Sequence, residues 1–426
     1  MGAPFGSALV ATYPQYDWTQ RTGYPACGDP PCIWAFLSSL GESEFFSIHL
    51  KETTPVRTVR ADALKRLVTD ACERMGARRD AAEIVGHALV DANLCDYASH
   101  GVFRLAQYHE WWKGGLLKPA ARPVLAAERG FAVQVDGQYA FGQVVARFAT
   151  QVALDRARAT GICVVTARNS NHVGRLADYA LALKEAGLIG LIAVNDSGAG
   201  QAVVPWGGMD GRLSTNPIAV GIPGGNGPGI LFDFSTSAAA HGKVRQLLLR
   251  GEQAPEGWLV DAAGSPTRDP ASLFGKPPGF LLPGGGHRGY ALSLMVEVLA
   301  GILSGAGCAN PHPGPEEMNG VFILALNPAW FMPPEEFQAQ VDQLTAYMKT
   351  ARPMPGVGPV HIPGERSREH ASRRERDGIP LNEKTCASLV DVLRALGLPE
   401  ELPYQEEPRG SPGAQSSRSR QEGNRP

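Results

Sequence analysis

The sequence predicts a mixed α/β (α+β) fold. Segments with apolar residues at helical spacing recur along the chain, and short apolar runs typical of strands stand between them. Glycine-rich turns separate most of these segments, as in proteins that alternate helices with short strands. The order of the elements leaves both parallel and antiparallel strand pairing open.

Two helices begin the region that starts near residue 58. Apolar residues recur at helical spacing from Leu64 to Met75, and Gly76 is placed to end that helix. Asp80, with Glu83 three residues later, has the spacing of a capping box and predicts the start of a second helix. The elements predicted after this pair are helices over 143–160 and 175–186, strands over 162–166, 188–194, 218–222, 230–234 and 321–326, and a helix over 334–349.

Composition argues against several classes of protein. The 426 residues carry a net charge of −2, with 43% hydrophobic and 19% charged residues, so there is no electrostatic reason to expect nucleic acid or an anionic membrane as partner. No apolar run approaches the roughly 20 residues that a membrane-spanning helix needs. Seven cysteines without a CxxC pair and ten histidines without an HxxxH pair predict no metal site, and the cysteine pattern favours the cytoplasm.

An irregular loop over 195–223 is the most unusual segment. It combines many Gly, Pro, Asn, Ser and Thr residues with Trp206 and several aliphatic residues. This mixture favours a loop folded over a cavity, where backbone groups approach a ligand, and a long structural connection is the alternative. Further along, Gly284, Gly286 and Gly289 satisfy GxGxxG. They lack the full preceding strand and the acidic residue about 20 positions on that a Rossmann unit requires, so we predict a different fold.

Seven motifs occur in one order along the chain: SHGVFRL (99–105), NSNHVG (169–174), the loop over 195–223, FDFSTS (232–237), PEGWLVD (255–261), LPGGGHRGYALSLMVEVLAG (282–301) and IPGE (362–365). The set resembles the non-Rossmann malate/L-lactate dehydrogenase family, whose relatives include ureidoglycolate dehydrogenase, diketogulonate reductase, sulfolactate dehydrogenase and the piperideine and pyrroline carboxylate reductases. The resemblance covers roughly residues 58–400. It implies an oxidoreductase that transfers a hydride between NAD or NADP and a small 2-hydroxy or 2-oxo acid, with reduction of a cyclic imino acid as the alternative.

The resemblance also implies an architecture. It comprises a non-Rossmann NAD(P)-binding domain with a largely antiparallel sheet, a helical substrate and dimerisation domain, and a homodimer. The corresponding division is an atypical N-terminal extension over 1–57, a helical part over 58–140, the cofactor-binding sheet domain over 141–330, a C-terminal helical part over 331–404 that packs back on the N-terminal part, and a tail over 405–426. The tail has almost no apolar residue and is predicted to be disordered.

His100 is the first candidate for the proton transfer that accompanies hydride transfer. A histidine suits this step because its ordinary pKa near 6.5 lies close to working pH. Arg104 follows one helical turn later, where its guanidinium could hold a substrate carboxylate. Chemistry alone allows both to be ordinary surface residues. The resemblance implies that His100 is the proton donor and acceptor, with Ser99 as a hydrogen-bonding neighbour.

His172 and Asp196 are further candidates. His172 follows a predicted strand, where a turn histidine bonded to the backbone is the alternative. The ureidoglycolate branch implies a proton acceptor at this position, so His172 competes with His100 for one role. We favour His100 and keep His172 as a site residue. Asp196 stands where relatives often have Ser, and it could orient a histidine or hold the positive charge of an imine.

Three cofactor-binding segments are implied by the resemblance. The first is a strand that enters a hydroxyl-rich turn, formed by Gly229, Ile230, Leu231, Phe232, Asp233, Phe234 and Ser235. The second is His287 with Arg288 at the amino end of a helix, where the helix dipole favours an anion and the family usually has Lys in place of the Arg. The third is Gly364 with Glu365. Composition alone would make each segment an ordinary turn.

Other functions fit less well. A nucleophilic hydrolase would show a GxSxG elbow, which the chain lacks. A family member that kept the fold as a non-catalytic binding module remains an alternative, although the presence of His100, Arg104 and His287 argues against it.

Overall fold

A computed structural model describes residues 57–312, 318–356 and 358–404; the predicted extension before residue 57 and the predicted tail lie outside these residues. The strands are β1 (Arg57–Val59), β2 (Val124–Arg129), β3 (Ala132–Asp136), β4 (Ile162–Ser170), β5 (Ile189–Asn195), β6 (Ile218–Ile222), β7 (Ile230–Phe234), β8 (Leu259–Val260), β9 (Pro266–Thr267), β10 (Phe280–Leu281), β11 (Asn319–Leu326) and β12 (Ile379–Leu381). The α-helices are α1 (Ala61–Arg74), α2 (Arg79–Leu94), α3 (Arg104–Lys113), α4 (Gly142–Thr160), α5 (Ala177–Glu185), α6 (His241–Arg250), α7 (His287–Val296), α8 (Pro334–Lys349), α9 (Glu365–Asp377) and α10 (Glu383–Ala395).

Seven strands form the large sheet. Their order is β2-β3-β4-β11-β5-β6-β7, and every neighbouring pair is antiparallel except β3 with β4. The expectation of a largely antiparallel sheet is therefore confirmed. The GxGxxG glycines follow β10, a two-residue strand of a separate three-stranded sheet, so they do not open a Rossmann unit.

Helices cover both faces of the large sheet. Side chains alternate between the faces along a strand, so Ile192 and Val194 of β5 belong to one core and Ala193 between them belongs to the other. α7 and its π-helical continuation Glu297–Ile302 supply the second core. In the first core, α4 packs closely on the sheet because its buried face carries small residues at helical spacing, namely Ala146, Ala149, Ala153 and Ala157.

A helical unit joins the two ends of the described chain. β1 pairs antiparallel with β12, and Val59 lies opposite Ile379. Around this pair, buried side chains of α1, α2 and α3 share one core with those of α10, as Leu64 and Leu389 illustrate. Within the described residues, no helix is both long and apolar enough to cross a membrane.

Two details differ from the sequence-based expectations. No side chain caps the amino end of α2, and Asp80 lies inside its first turn, so the capping box of Asp80 with Glu83 is wrong. Residues 124–136, assigned above to the helical part, form β2 and β3 of the large sheet. Val133 and Val135 of β3 are buried in the first core, whereas every described position of β2 is exposed, so β2 shows no apolar alternation.

Candidate active site

Two histidines from separate parts of the chain lie in contact. His100 ends the 3-10 turn between α2 and α3, and His172 follows β4. Nδ1 of His100 lies 3.1 Å from Nε2 of His172, and the ring planes are within 2° of parallel. Both side chains are only half-buried, which leaves part of the pair open to a ligand. The structure thus joins two residues that the sequence nominated separately.

The segments on either side of the pair are held by buried polar contacts. Oδ1 of Asn93 accepts a hydrogen bond from the backbone N–H of Val102 at 2.8 Å, just after the first histidine. Nδ2 of Asn171 donates to two backbone carbonyls of the turn before α4, at 2.8 and 3.0 Å. The backbone also approaches Gly142 so closely that a Cβ there would lie 2.3 Å from the carbonyl oxygen of His172. These contacts fix where the two rings meet.

A tyrosine and a glutamine extend the pair into the protein. Oη of Tyr108 lies 2.8 Å from Nδ1 of His172, and Nε2 of Gln143 donates to the same Oη at 2.6 Å. Tyr108 lies on α3 and Gln143 near the start of α4, and both side chains are buried. A continuous hydrogen-bonded row therefore runs from Gln143 through Tyr108 and His172 to His100.

Burial lowers the pKa of both histidines. The pKa of His100 falls to about 3, because burial disfavours the charged ring and the guanidinium groups of Arg104 and Arg175 repel it. The pKa of His172 lies well below its ordinary value because of burial, then the charges of Arg104 and His100. Both rings are therefore neutral near pH 7.

Arg104 supplies positive charge beside the pair. Its Nε donates to the backbone oxygen of Ser99 at 2.9 Å, and its Nη1 donates to Oε1 of Gln107 at 2.6 Å. Because a guanidinium has five N–H groups, these two bonds leave three for a ligand carboxylate. Ser99 packs against Gly242: a Cβ added to Gly242 would lie 2.9 Å from Cβ of Ser99. The backbone of Ser99 thus positions Arg104, and the role of its hydroxyl stays a prediction.

A third histidine was missed by the sequence reasoning. His241 is the first residue of α6, and burial together with the charges of Arg245 and Arg104 lowers its pKa to about 4. The start of α6 lies beside the turn that carries His100, because a Cβ on Gly242 would lie 2.9 Å from Cβ of Ser99. The one sequence signal for His241 is its place shortly after the FDFSTS motif.

The three predicted cofactor segments meet along β7. At one end, the backbone N–H of Leu231 donates at 3.1 Å to the carbonyl of the proline that precedes Gly364. Past the other end, the carbonyl of Thr236 accepts from the N–H of Gly284 at 2.8 Å, in the turn that leads to His287. The strand over 229–235 therefore connects the other two segments.

Two helices begin at these segments without side-chain caps. α7 starts at His287 after Gly286, and α9 starts at Glu365 after Gly364. Uncapped amides at a helix amino end favour an anion, and Arg288 adds positive charge at the first of these ends. Beside α9 lies a cleft of about 760 Å³ whose lining includes Lys349, His361, Glu365, Arg368, Glu369 and Arg376.

One buried carboxylate holds both ends of the irregular loop. Oε2 of Glu297 accepts from Nδ2 of Asn195 at 3.2 Å, and Oε1 accepts from Nδ2 of Asn216 at 2.9 Å. Between these ends, the ring of Trp206 lies 6.5 Å from that of His287, measured between centroids. The loop therefore lies over the start of α7, next to a predicted cofactor segment.

Asp196 directly follows β5 in this loop. Its backbone carbonyl accepts a hydrogen bond from the N–H of Ala199 at 2.8 Å. Its carboxylate lies against Gly200, where a Cβ would meet Oδ2 at 2.1 Å. The role of Asp196 toward a ligand stays a prediction. In the described parts of the chain, no group of three or more metal-binding side chains is present.

Comparison with known proteins identifies a family over most of the chain. A family model described as malate/L-lactate dehydrogenase matches residues 59–390. The chain belongs to the malate/L-lactate dehydrogenase family. The resemblance seen in the ordered motifs is thereby confirmed.

Individual members of the malate/L-lactate dehydrogenase family match over most of their length. The chain is 38% identical to an L-lactate dehydrogenase of Cupriavidus necator, over 78% of this chain and 96% of that protein. A solved sulfolactate dehydrogenase from Methanocaldococcus jannaschii has a TM-score of 0.74 at 32% identity and covers 80% of this chain and 98% of its own. A delta1-piperideine-2-carboxylate reductase from Pseudomonas syringae pvar. tomato has a TM-score of 0.69 at 30% identity, over 79% and 99%. These matches confirm the predicted fold class and the prediction of an oxidoreductase.

In this member of the family, the structure adds residues that no sequence pattern singled out. Tyr108 had a weak signal, because it lies four residues after Arg104 on the same helix. Gln143 had none, because it reaches Tyr108 only through the packing of its helix. Glu297 had only its place within the motif over 282–301, and its contact with Asn216 depends on the packing of its helix.

Proposed function

We propose that the protein interconverts a 2-hydroxy acid of the malate or lactate type and its 2-oxo acid, with NAD or NADP as the cofactor. The observation that carries the proposal is the neutral pair of His100 and His172 beside Arg104. A 2-hydroxy acid has its hydroxyl and its carboxylate on adjacent carbons. It therefore requires a proton-transfer group and a carboxylate-binding group side by side.

His100 is the residue proposed to move the proton. During reduction, an N–H of His100 donates to the oxo oxygen of the substrate as negative charge develops there, and a neutral imidazole can serve as such a donor. During oxidation the step runs in reverse, and the same nitrogen, then without its proton, takes the hydroxyl proton. Arg104 holds the carboxylate and so fixes the reacting carbon relative to His100.

The dinucleotide is proposed to lie along β7. Its two phosphates are anionic, and the uncapped amino ends of α7 and α9, with Arg288, offer them positive partners. Gly364 packs so closely against β7 that a Cβ added to it would lie 2.8 Å from the carbonyl oxygen of Leu231. Backbone rather than a side chain therefore lines the end of β7 that lies next to α9. When bound, the nicotinamide ring supplies or accepts the hydride.

Reduction of a cyclic imino acid is the second candidate. A solved relative is a piperideine-2-carboxylate reductase. Asp196 favours this reaction in the present chain, because a carboxylate beside the substrate would stabilise the positive charge of a protonated imine. His100 and Arg104 would keep their proposed roles toward the proton and the carboxylate.

We also propose a cytoplasmic homodimer. Support for the dimer comes from apolar side chains on α7 and its π-helical continuation: Leu294, Val298 and Ile302 follow one another at helical spacing and are 43%, 51% and 59% exposed. Such a row is costly to leave in water and is typical of a subunit interface. Light scattering on residues 58–404 tests it, and a stable, fully active monomer would contradict the proposal.

A substrate panel tests the proposed reaction. Malate, lactate, ureidoglycolate, sulfolactate and piperideine-2-carboxylate are each offered with NAD or NADP in the matching redox state, and the absorbance of the reduced nicotinamide is followed. We expect turnover of at least one hydroxy acid, with loss of that turnover in His100→Ala. Turnover of the imine alone would support the second candidate. Failure to bind either cofactor would leave only a non-catalytic module.

A further inference from the structure

The hydrogen-bonded row behind the histidine pair has a direction. Nε2 of Gln143 belongs to an N–H₂ group and can only donate, so Oη of Tyr108 is the acceptor in their 2.6 Å contact. Oη also lies 2.8 Å from Nδ1 of His172. Oη keeps a second lone pair, but among the contacts of the described residues its single proton has one acceptor within reach, Nδ1 of His172. That ring nitrogen is therefore an acceptor and carries no proton.

The same direction continues into the second ring. A neutral imidazole carries one proton, and on His172 it must then be on Nε2. This nitrogen lies 3.1 Å from Nδ1 of His100, which becomes the acceptor in its turn. The one ring proton of His100 is consequently on Nε2, the nitrogen that takes no part in the pair.

We propose that Tyr108 and Gln143 are positioning residues that set the tautomers of His172 and His100, so that the resting enzyme presents an N–H donor to its ligand. The use of that donor rests on the proposed function, since a 2-oxo group accepts hydrogen bonds and cannot donate them. The row therefore favours binding of the oxo acid to the free enzyme. The tautomers themselves exist without any substrate.

Two substitutions separate this role from packing. The ring of Tyr108 also packs against those of Phe141 and Trp111, and Tyr108→Phe keeps the ring while removing only Oη. Tyr179→Phe is the matched control. Its buried hydroxyl donates to the carbonyl of Val173, in the same segment as the second histidine, but takes no part in the row.

The first test is ¹⁵N NMR of the full chain with labelled histidine and no substrate, with resonances assigned from His100→Asn and His172→Asn. We expect an unprotonated Nδ1 and a protonated Nε2 on both rings. Tyr108→Phe should give a mixture of tautomers at His172, and Tyr179→Phe should leave the wild-type pattern. A protonated Nδ1 on His172 in the wild type, or an unchanged spectrum in Tyr108→Phe, would overturn the proposal.

The second test is kinetic and uses the same two variants. Loss of one hydrogen bond from the row should lower kcat for reduction about tenfold in Tyr108→Phe. KM should stay within about twofold, because a mixture of tautomers still leaves about half of the enzyme with the Nε2–H form of His100 that binds the oxo acid. Equal losses in Tyr108→Phe and Tyr179→Phe would show that only packing matters. If the tautomers are as expected but no substrate of the panel is turned over, the proposed function fails while the tautomer assignment stands.

Discussion

Acid should destabilise the protein through its half-buried histidine pair. The pKa of His100 is about 3 in the folded protein, against an ordinary value of 6.5. Between these values the unfolded chain binds a proton that the folded protein does not, so stability that is fully present above pH 6.5 is lost as the pH falls toward 3. At pH 5, one and a half units below the ordinary value, the loss is about 2 kcal/mol at most, since one unit corresponds to about 1.36 kcal/mol and the side chain is only half-buried.

Urea unfolding at pH 7 and pH 5 measures this loss. His100→Asn keeps a hydrogen-bonding group near the position of Nδ1 but does not titrate, so its free energy of unfolding should fall by about 1–2 kcal/mol less than that of the wild type. His87→Asn, at an exposed position, is the control and should lose as much as the wild type. If His100→Asn loses as much stability as the wild type, protonation of His100 is not the cause of the loss in acid.

Three further substitutions test other parts of the site. Arg104→Lys should raise the substrate KM about tenfold, because a point charge replaces a bidentate fork, and an unchanged KM would mean that another group binds the carboxylate. Gly142→Ala would place a Cβ 2.3 Å from the carbonyl oxygen of His172, so kcat and the urea midpoint should both fall, whereas Gly358→Ala, with open space around it, should change neither. In Glu297→Gln, an N–H₂ group replaces one carboxylate oxygen and faces the N–H₂ group of Asn195 or Asn216, so the free energy of unfolding should fall by about 1–3 kcal/mol. An unaltered urea midpoint would show that Glu297 does not hold the two ends of the irregular loop.

Helices and strands that carry a regular spacing of apolar residues could be predicted from the sequence. The helix predicted over 143–160 is α4 (Gly142–Thr160), and Gly161 follows it in the left-handed region, with φ of 82°. The exposed strand β2 gave no alternation to detect, and the antiparallel pairing of the sheet came from the family resemblance rather than from the residues. Which strands pair depends on contacts between residues far apart in the chain, and the spacing of residues within one strand does not indicate those contacts.

The candidate site was likewise predictable from the sequence only in part. His100 and Arg104 were predictable together because one helical turn separates them in the chain. The contact of His100 with His172 joins residues 72 positions apart, and Gln143 reaches the site only because α4 packs beneath it. Contacts between residues so far apart in the chain leave no local pattern that would reveal them.

In the proposed mechanism, His100 moves the proton and His172 acts through His100. Steady-state kinetics of His100→Ala and His172→Ala, with cofactor binding measured alongside, test this most directly. We predict that His100→Ala lowers kcat by about 100-fold or more while cofactor binding stays close to that of the wild type, and that His172→Ala loses less. Near-normal turnover in His100→Ala together with a 100-fold loss in His172→Ala would contradict the account.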